Sequence, residues 1–187
     1  VFENEVIYEN RLNEVELQKL YQDAKKKAHP LIFMNEKTMK ASVRHNSFIE
    51  IGMGSLNFPH PEKDEAYYVN GKIYQTLLLC ENHEEKFYFS SYPQFHFIRW
   101  HPLAVDILPK GGSKAEGIKK MIHRLGFDLK DVYAFGDGLN DLEMLREVGT
   151  GIAMGNGVPE AKELADFITS DVSNDGIWNG LKELALI

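Results

Sequence analysis

The segment Phe135-Gly136-Asp137-Gly138-Leu139-Asn140-Asp141 closes a short apolar run, Val132-Tyr133-Ala134, and opens an amphipathic one, Asp141 to Val148. An uninterrupted apolar run of this length, bounded by glycine, predicts a short strand of the parallel-sheet type. The switch to helical spacing at Asp141 predicts a helix that packs back on that strand and ends before Gly149. Ligands of open α/β sheets bind beyond the carboxyl ends of the strands. Asp137 falls at such an end, between two glycines that leave room for close backbone approach. A carboxylate there suits Mg2+, which takes oxygen ligands and keeps several waters. Asn140 and Asp141, one short turn on, are in reach of the same ion or of the groups around it. The plainer reading is a turn at Asp137 and a helix cap at Asn140 or Asp141. Capping is compatible with supporting a metal, and for Asp141 it ranks ahead of direct ligation.

The alternation extends both ways. Upstream, Ser113 caps a helix with Glu116 at the third position. Its expected buried stripe is Ile118, Met121, Ile122 and Leu125, and Gly126 ends it. Downstream, Gly151 to Met154 predicts a second strand, Pro159 opens a helix, and Phe167-Ile168-Thr169 predicts a third strand. Asn174 or Asp175 is placed to cap a last helix that buries Trp178, Leu181 and Leu184. Strands alternating with helices predict a doubly wound α/β fold.

The loop Pro109-Lys110-Gly111-Gly112-Ser113-Lys114 leads into the first of these helices. A glycine-rich loop at a helix start suits anion binding. Lys114 in the first turn opposes the positive end of the helix dipole, a conflict that a nearby anion relieves. Either Lys110 or Lys114 fits as a phosphate clamp; a solvated loop lysine is the alternative. The Walker spacing is absent. Gly151, Gly155 and Gly157 lack the dinucleotide-binding spacing, and Asn156-Gly157 reads as a turn.

The earlier residues have a different texture. Val1-Phe2 and Val6-Ile7-Tyr8 predict two strands about a turn. Asn13 to Ala28 predicts a helix, capped by Asn13 with Glu16 at the capping-box position and with Val15, Leu17, Leu20, Tyr21 and Ala24 on a helical stripe. Lys25, Lys26 and Lys27 read as its solvated end. Strands follow at Leu31–Met34 and Met39–Val43, a short helix at Asn46–Met53, a loop over 57–65, a turn at Asn70-Gly71, and strands from Ile73, over Phe95–Trp100 and over Ala104–Leu108. The change of texture puts a boundary near 101–110, with an α+β domain over 1–104 and an α/β domain over 105–187.

The net charge of -7 disfavours nucleic acid and anionic lipid as partners but admits a small phosphorylated metabolite. No run approaches the roughly 20 apolar residues of a membrane span, and no signal peptide is visible. The one cysteine, Cys80, ends an apolar run and reads as core filler. A chain that forms no internal disulfide suits a reducing cytoplasm. The seven histidines show no metal-ligand spacing. His29, His60, His96 and His101 read as surface or packing residues, with a place in a cleft as the alternative for His101.

Lys114 in its glycine-rich loop ahead of Gly136-Asp137-Gly138-Leu139-Asn140-Asp141 resembles the haloacid dehalogenase superfamily. The tail Gly151-Ile-Ala-Met-Gly-Asn-Gly-Val-Pro-Glu160, with Ala165-Asp166-Phe-Ile-Thr169 and Asn174-Asp-Gly176, is similar to its Cof-type phosphatases. The resemblance is strong over about 108–180 and weaker over 1–107. It implies part of a Rossmannoid parallel sheet over 105–187 and a substrate-selecting α+β cap over 1–104. It implies a Mg2+-dependent phosphatase of small phosphomonoesters, such as sugar phosphates or nucleotides, working through an aspartyl-phosphate. Lys114, favoured over Lys110 by its spacing, would steady the phosphate and the nucleophile, and Asp137 would bind Mg2+. Asn140 would orient the site or contact the substrate phosphate, and Asp141 would be the last acid of the motif and a second metal candidate.

One departure is large. The family's nucleophile lies in an Asp-x-Asp-Gly motif, followed by a Ser/Thr phosphate-binding motif, and neither occurs in these residues. The expectation is that the first core strands lie upstream and that residues 1–187 alone are inactive. The strand at 132–135 would then expose an apolar edge, to be covered by an upstream segment or by a homodimer partner. A non-catalytic module that binds Mg2+ or a phosphometabolite is the reading from a different class. An upstream Asp-x-Asp-Gly discriminates between the two.

Overall fold

The structure, a computed structural model, describes residue 3 and residues 5–187. The described residues form two compact units, one of residues 10–112 and one of residues 113–187 with residue 3 and residues 5–9.

The first unit contains α1 (Glu14–Lys26), β1 (Leu31–Met34), β2 (Met39–Ala41), α2 (Ser47–Gly54), α3 (Tyr67–Asn70), β3 (Gln75–Leu79), α4 (Lys86–Ser91), β4 (Phe95–His101) and β5 (Ala104–Pro109). Its five strands form one antiparallel sheet in the order β2-β1-β3-β5-β4. Asn13 caps α1 by accepting the Glu16 N–H, as expected. Leu17, Leu20, Tyr21 and Ala24 of α1 are buried with Leu31, Phe33, Leu78, Val105 and Ile107 of the sheet. On the opposite face, α2 buries Ile49 and Met53 with Ile32, Leu77, Leu79 and Ala104. The partly buried guanidinium of Arg99 ties the loops together. It donates to both carboxylate oxygens of Glu85 and to the carbonyls of Cys80, Glu81, His101 and Pro102.

The second unit contains α5 (Lys114–Leu125), β6 (Tyr133–Gly136), α6 (Leu142–Glu147), β7 (Thr150–Ala153), α7 (Pro159–Leu164), β8 (Phe167–Ile168) and α8 (Gly176–Glu183). The strands run parallel in the order β6-β7-β8, pairing Phe135 with Ile152 and Ile152 with Phe167. All three therefore end on the same side of the sheet. Ser113 caps α5 through the Glu116 N–H, Gly126 ends it at φ 75°, and Pro159 is the first residue of α7. Ala134, Met144, Leu145, Val148 and Ala161 form the core.

Several local expectations need correction. Val6–Tyr8 form no strand; Val6 is exposed, so nothing selects a register for the segment. The strand expected at Val1-Phe2 lies outside the described residues. Tyr67–Asn70 is a short helix, and the strand expected from Ile73 starts at Gln75. The helix α4 has no counterpart in the sequence reading: it is six residues long and begins without a side-chain cap. Ala104–Pro109 pairs with β3 and β4, which makes it part of the antiparallel sheet. Of the α5 stripe, Ile118 packs on the core but remains half-buried like Met121, Ile122 and Leu125, and Trp178 of α8 is exposed. Asp175, at the start of α8, makes no side-chain capping bond.

Candidate active site

The site is assembled at the carboxyl end of β6. The strand stops at Gly136, and residues 139–141 make one 3-10 turn before α6. Asp141 stands at the N-cap position of α6 but does not cap it. Its side chain turns back instead, and Oδ2 accepts the backbone N–H groups of Asp137 at 3.0 Å and Gly138 at 3.1 Å. Its other oxygen, Oδ1, accepts the ammonium of Lys114, the first residue of α5. The turn-back needs a glycine at 136, because a Cβ there would stand 2.7 Å from the Asp141 Cβ.

Asp141 is 4% exposed, so its charge must be compensated. Burial alone would raise its pKa. The Lys114 hydrogen bond and the two backbone N–H groups outweigh burial and hold the carboxyl below the usual aspartate value. Asp141 is thus a buried anion with both oxygens engaged, which makes it a brace for the Asp137 loop.

Asp137 is the exposed carboxylate of the pair. Among the described residues its side chain has one partner, the Asn156 amide, whose Nδ2 donates to Oδ2 at 3.3 Å. Asn156 lies beyond the end of β7, on the same side of the sheet. Its role is not legible in the sequence, where Asn156-Gly157 reads as a turn; the parallel order of the strands is the available clue. The Val158 N–H donates to the Asp137 carbonyl at 2.9 Å and ties the two loops a second time. Asn140 is half-buried, and its side chain has no hydrogen-bond partner among the described residues. Lys110 ends in the first unit, on the exposed stretch after β5.

The donor set fits a hard divalent cation. Asp137 offers an exposed carboxylate with spare acceptor capacity at a strand end, and Mg2+ is commonly held by one or two carboxylates, with water and substrate phosphate completing its shell. Among the described residues, no group of three or more His, Cys, Asp or Glu side chains gathers to hold a metal by itself. Among the same residues, no helix is long and apolar enough to cross a membrane.

This fold and this loop define a class. The profile of haloacid dehalogenase-like hydrolases matches residues 1–181. The chain belongs to that family, within the Cof-type phosphatase group its motifs resemble. It is 54% identical over 187 residues to YkrA of Bacillus subtilis (strain 168), covering 100% of this chain and 72% of that protein. A crystal structure from Geobacillus kaustophilus HTA426 is 53% identical with a TM-score of 0.88, covering 100% of this chain and 73% of the other. The subclass IIB sugar phosphatase BT4131 is 30% identical with a TM-score of 0.85, covering 98% of this chain and 71% of the other.

Proposed function

We propose that the protein is a Mg2+-dependent phosphatase of small phosphomonoesters, with sugar phosphates the first class to test. The observation that carries this reading is the pairing of Lys114 with the buried acid that also fixes the Asp137 loop. That arrangement puts a cation, an exposed carboxylate and a polar amide on the end of one parallel sheet. The kinship with BT4131, a sugar phosphatase, supports the substrate class.

In this reading Asp137 holds Mg2+ and Asp141 supports it from behind, keeping Lys114 extended and oriented. A bound Mg2+ would offset negative charge on the phosphoryl oxygens. Lys114 retains donors beyond the one given to Asp141 and offers them to a phosphoryl oxygen, where they count most as charge builds up. Asn140, with its amide free, contacts the substrate phosphate. The residues hold no Asp-x-Asp pair. The nucleophile that forms the aspartyl-phosphate is therefore assigned to residues outside this sequence, and residues 1–187 alone are expected to be inactive. The antiparallel unit is assigned the role of the substrate-selecting cap domain. The outer edge of β6, which pairs with β7 alone among the described residues, is the place for such an upstream segment or a second copy. The cytoplasm is the expected compartment.

The test is phosphate release from a panel of sugar phosphates, nucleotides and para-nitrophenyl phosphate, with Mg2+ and with chelator. Mg2+-dependent release by the whole protein, lost in Lys114→Ala and Asp137→Ala, supports the reading. No release from any phosphomonoester in Mg2+ overturns it and leaves the binding module. Release by residues 1–187 alone overturns the assignment of the nucleophile.

A further inference from the structure

The amide of Asn156 is held from both ends. Its Oδ1 accepts the Val172 N–H at 2.9 Å, and its Nδ2 donates to Asp137 Oδ2 at 3.3 Å. The first bond fixes the orientation of the second. A backbone N–H only donates, so the amide oxygen faces Val172 and the NH2 group is turned toward the carboxylate. The surrounding backbone is pinned as well. Gly155 N–H donates to the Ser170 carbonyl at 3.0 Å, Gly157 N–H to Met154 at 2.8 Å, and Val158 N–H to Asp137 at 2.9 Å. The loops that follow β6, β7 and β8 thus meet at one side chain.

Seen from Asp137, Asn156 is the single side-chain or backbone donor to its carboxylate among the described residues, and Oδ1 has no partner there. We infer that Asn156 is a positioning residue: it holds one oxygen of Asp137 and presents the other to a divalent cation. This rests on the reading of Asp137 as the Mg2+ ligand. An aspartate on the surface otherwise samples several rotamers, and ordering it on binding costs free energy. Partners of this kind behind a metal ligand change metal affinity when removed. The tie to Val172 extends the idea, since the backbone after β8 sets which way the amide faces.

The experiment measures Mn2+ binding, as a spectroscopic stand-in for Mg2+, by the loss of the free-ion electron paramagnetic resonance signal without substrate. It compares the wild-type protein, Asn156→Ala and Asn156→Gln. The Ala variant is expected to bind Mn2+ roughly tenfold more weakly, with the Gln variant, which keeps an amide donor, recovering part of that loss. In phosphate-release assays, the Mg2+ concentration for half-activation should rise by a similar factor, while kcat at saturating Mg2+ stays within about twofold. Asn156 is exposed, so the thermal midpoint should hardly move. Wild-type affinity for Mn2+ in Asn156→Ala overturns the inference and leaves the reading of Asp137 intact. A fall in thermal midpoint and kcat together, with half-activation unchanged, also overturns it, because that marks a structural role. A wild-type protein that binds no Mn2+ removes the Mg2+ assignment and this inference with it.

Discussion

The ammonium of Lys114 donates to Oδ1 of Asp141, joining the first residue of α5 to the acid that leads into α6. The acid is buried and the lysine about half exposed. The pair is therefore asymmetric: Asp141 depends on Lys114 for charge compensation, while Lys114 can be solvated. Replacing Lys114 with Met should remove activity and cost about 1–2 kcal/mol of stability, the usual range for a buried acceptor that loses one partner. Asp141 keeps its two backbone donors, so the fold survives. Denaturant midpoints and phosphate release, measured together, check this.

Asp137 behaves oppositely. Its carboxylate is exposed and has a single amide partner among the described residues. Asp137→Asn should abolish activation by Mg2+ while leaving metal-free stability within about 0.5 kcal/mol of wild type. A large loss of stability in chelator would contradict this separation of roles.

The Arg99–Glu85 pair predicts a pH dependence in the first unit. Burial by itself would raise the Glu85 pKa; the Arg99 hydrogen bonds and nearby backbone donors outweigh it, and the net direction is downward. A lowered carboxylate stabilises the folded state above its unfolded pKa, and the contribution is lost as pH falls through the folded value. At neutral pH, Glu85→Gln should cost about 2–3 kcal/mol, since Arg99 is left largely buried without its anion. The gap between variant and wild type should narrow below about pH 4, where the unfolded-state glutamate takes up its proton. Urea unfolding of both proteins across pH 3 to 7 tests the sign.

Cys80 is buried, and burial pushes its thiol up to about 11. The thiolate is the reactive form, so the native protein should not react with a thiol reagent at pH 8. One equivalent should react once urea unfolds the chain. Rapid native labelling would be incompatible with this packing.

Two glycines should respond in opposite ways to alanine. A Cβ on Gly151 would stand 2.1 Å from the Leu145 carbonyl oxygen, where β7 passes under α6. Gly151→Ala should cost more than about 3 kcal/mol or prevent folding. Gly117 lies inside α5, and a methyl group added there would meet nothing within 4 Å, so Gly117→Ala should gain about 0.5–1 kcal/mol. Thermal midpoints decide both.

Local chemistry made much of the fold legible. Asn13 and Ser113 accept the N–H groups their capping positions require, Gly126 takes the left-handed conformation, and Pro159 opens α7. The short runs at 133–136 and 150–153 became parallel strands, although Tyr133 stays exposed and only the second is largely buried. What escaped depends on contacts distant in sequence. Trp178 sits on a helical stripe yet is exposed, since periodicity names a face and not what covers it. The bond from Asn156 to Asp137 spans two strand ends, and the return of Asp141 to the Asp137 N–H replaces a helix cap that looks equally good on paper. The motif marked the loop after β6; which of its acids is buried and which faces solvent emerged only from the packing.

The bond from the Val158 N–H to the Asp137 carbonyl constrains any redesign of the two loops it joins. Two neighbouring turns clasped in this way cannot lengthen or drift one at a time, because an insertion in either breaks the other. A randomised library intended to change what the protein accepts should leave residues 136–141 and 154–158 untouched and spend its diversity on residues 10–112.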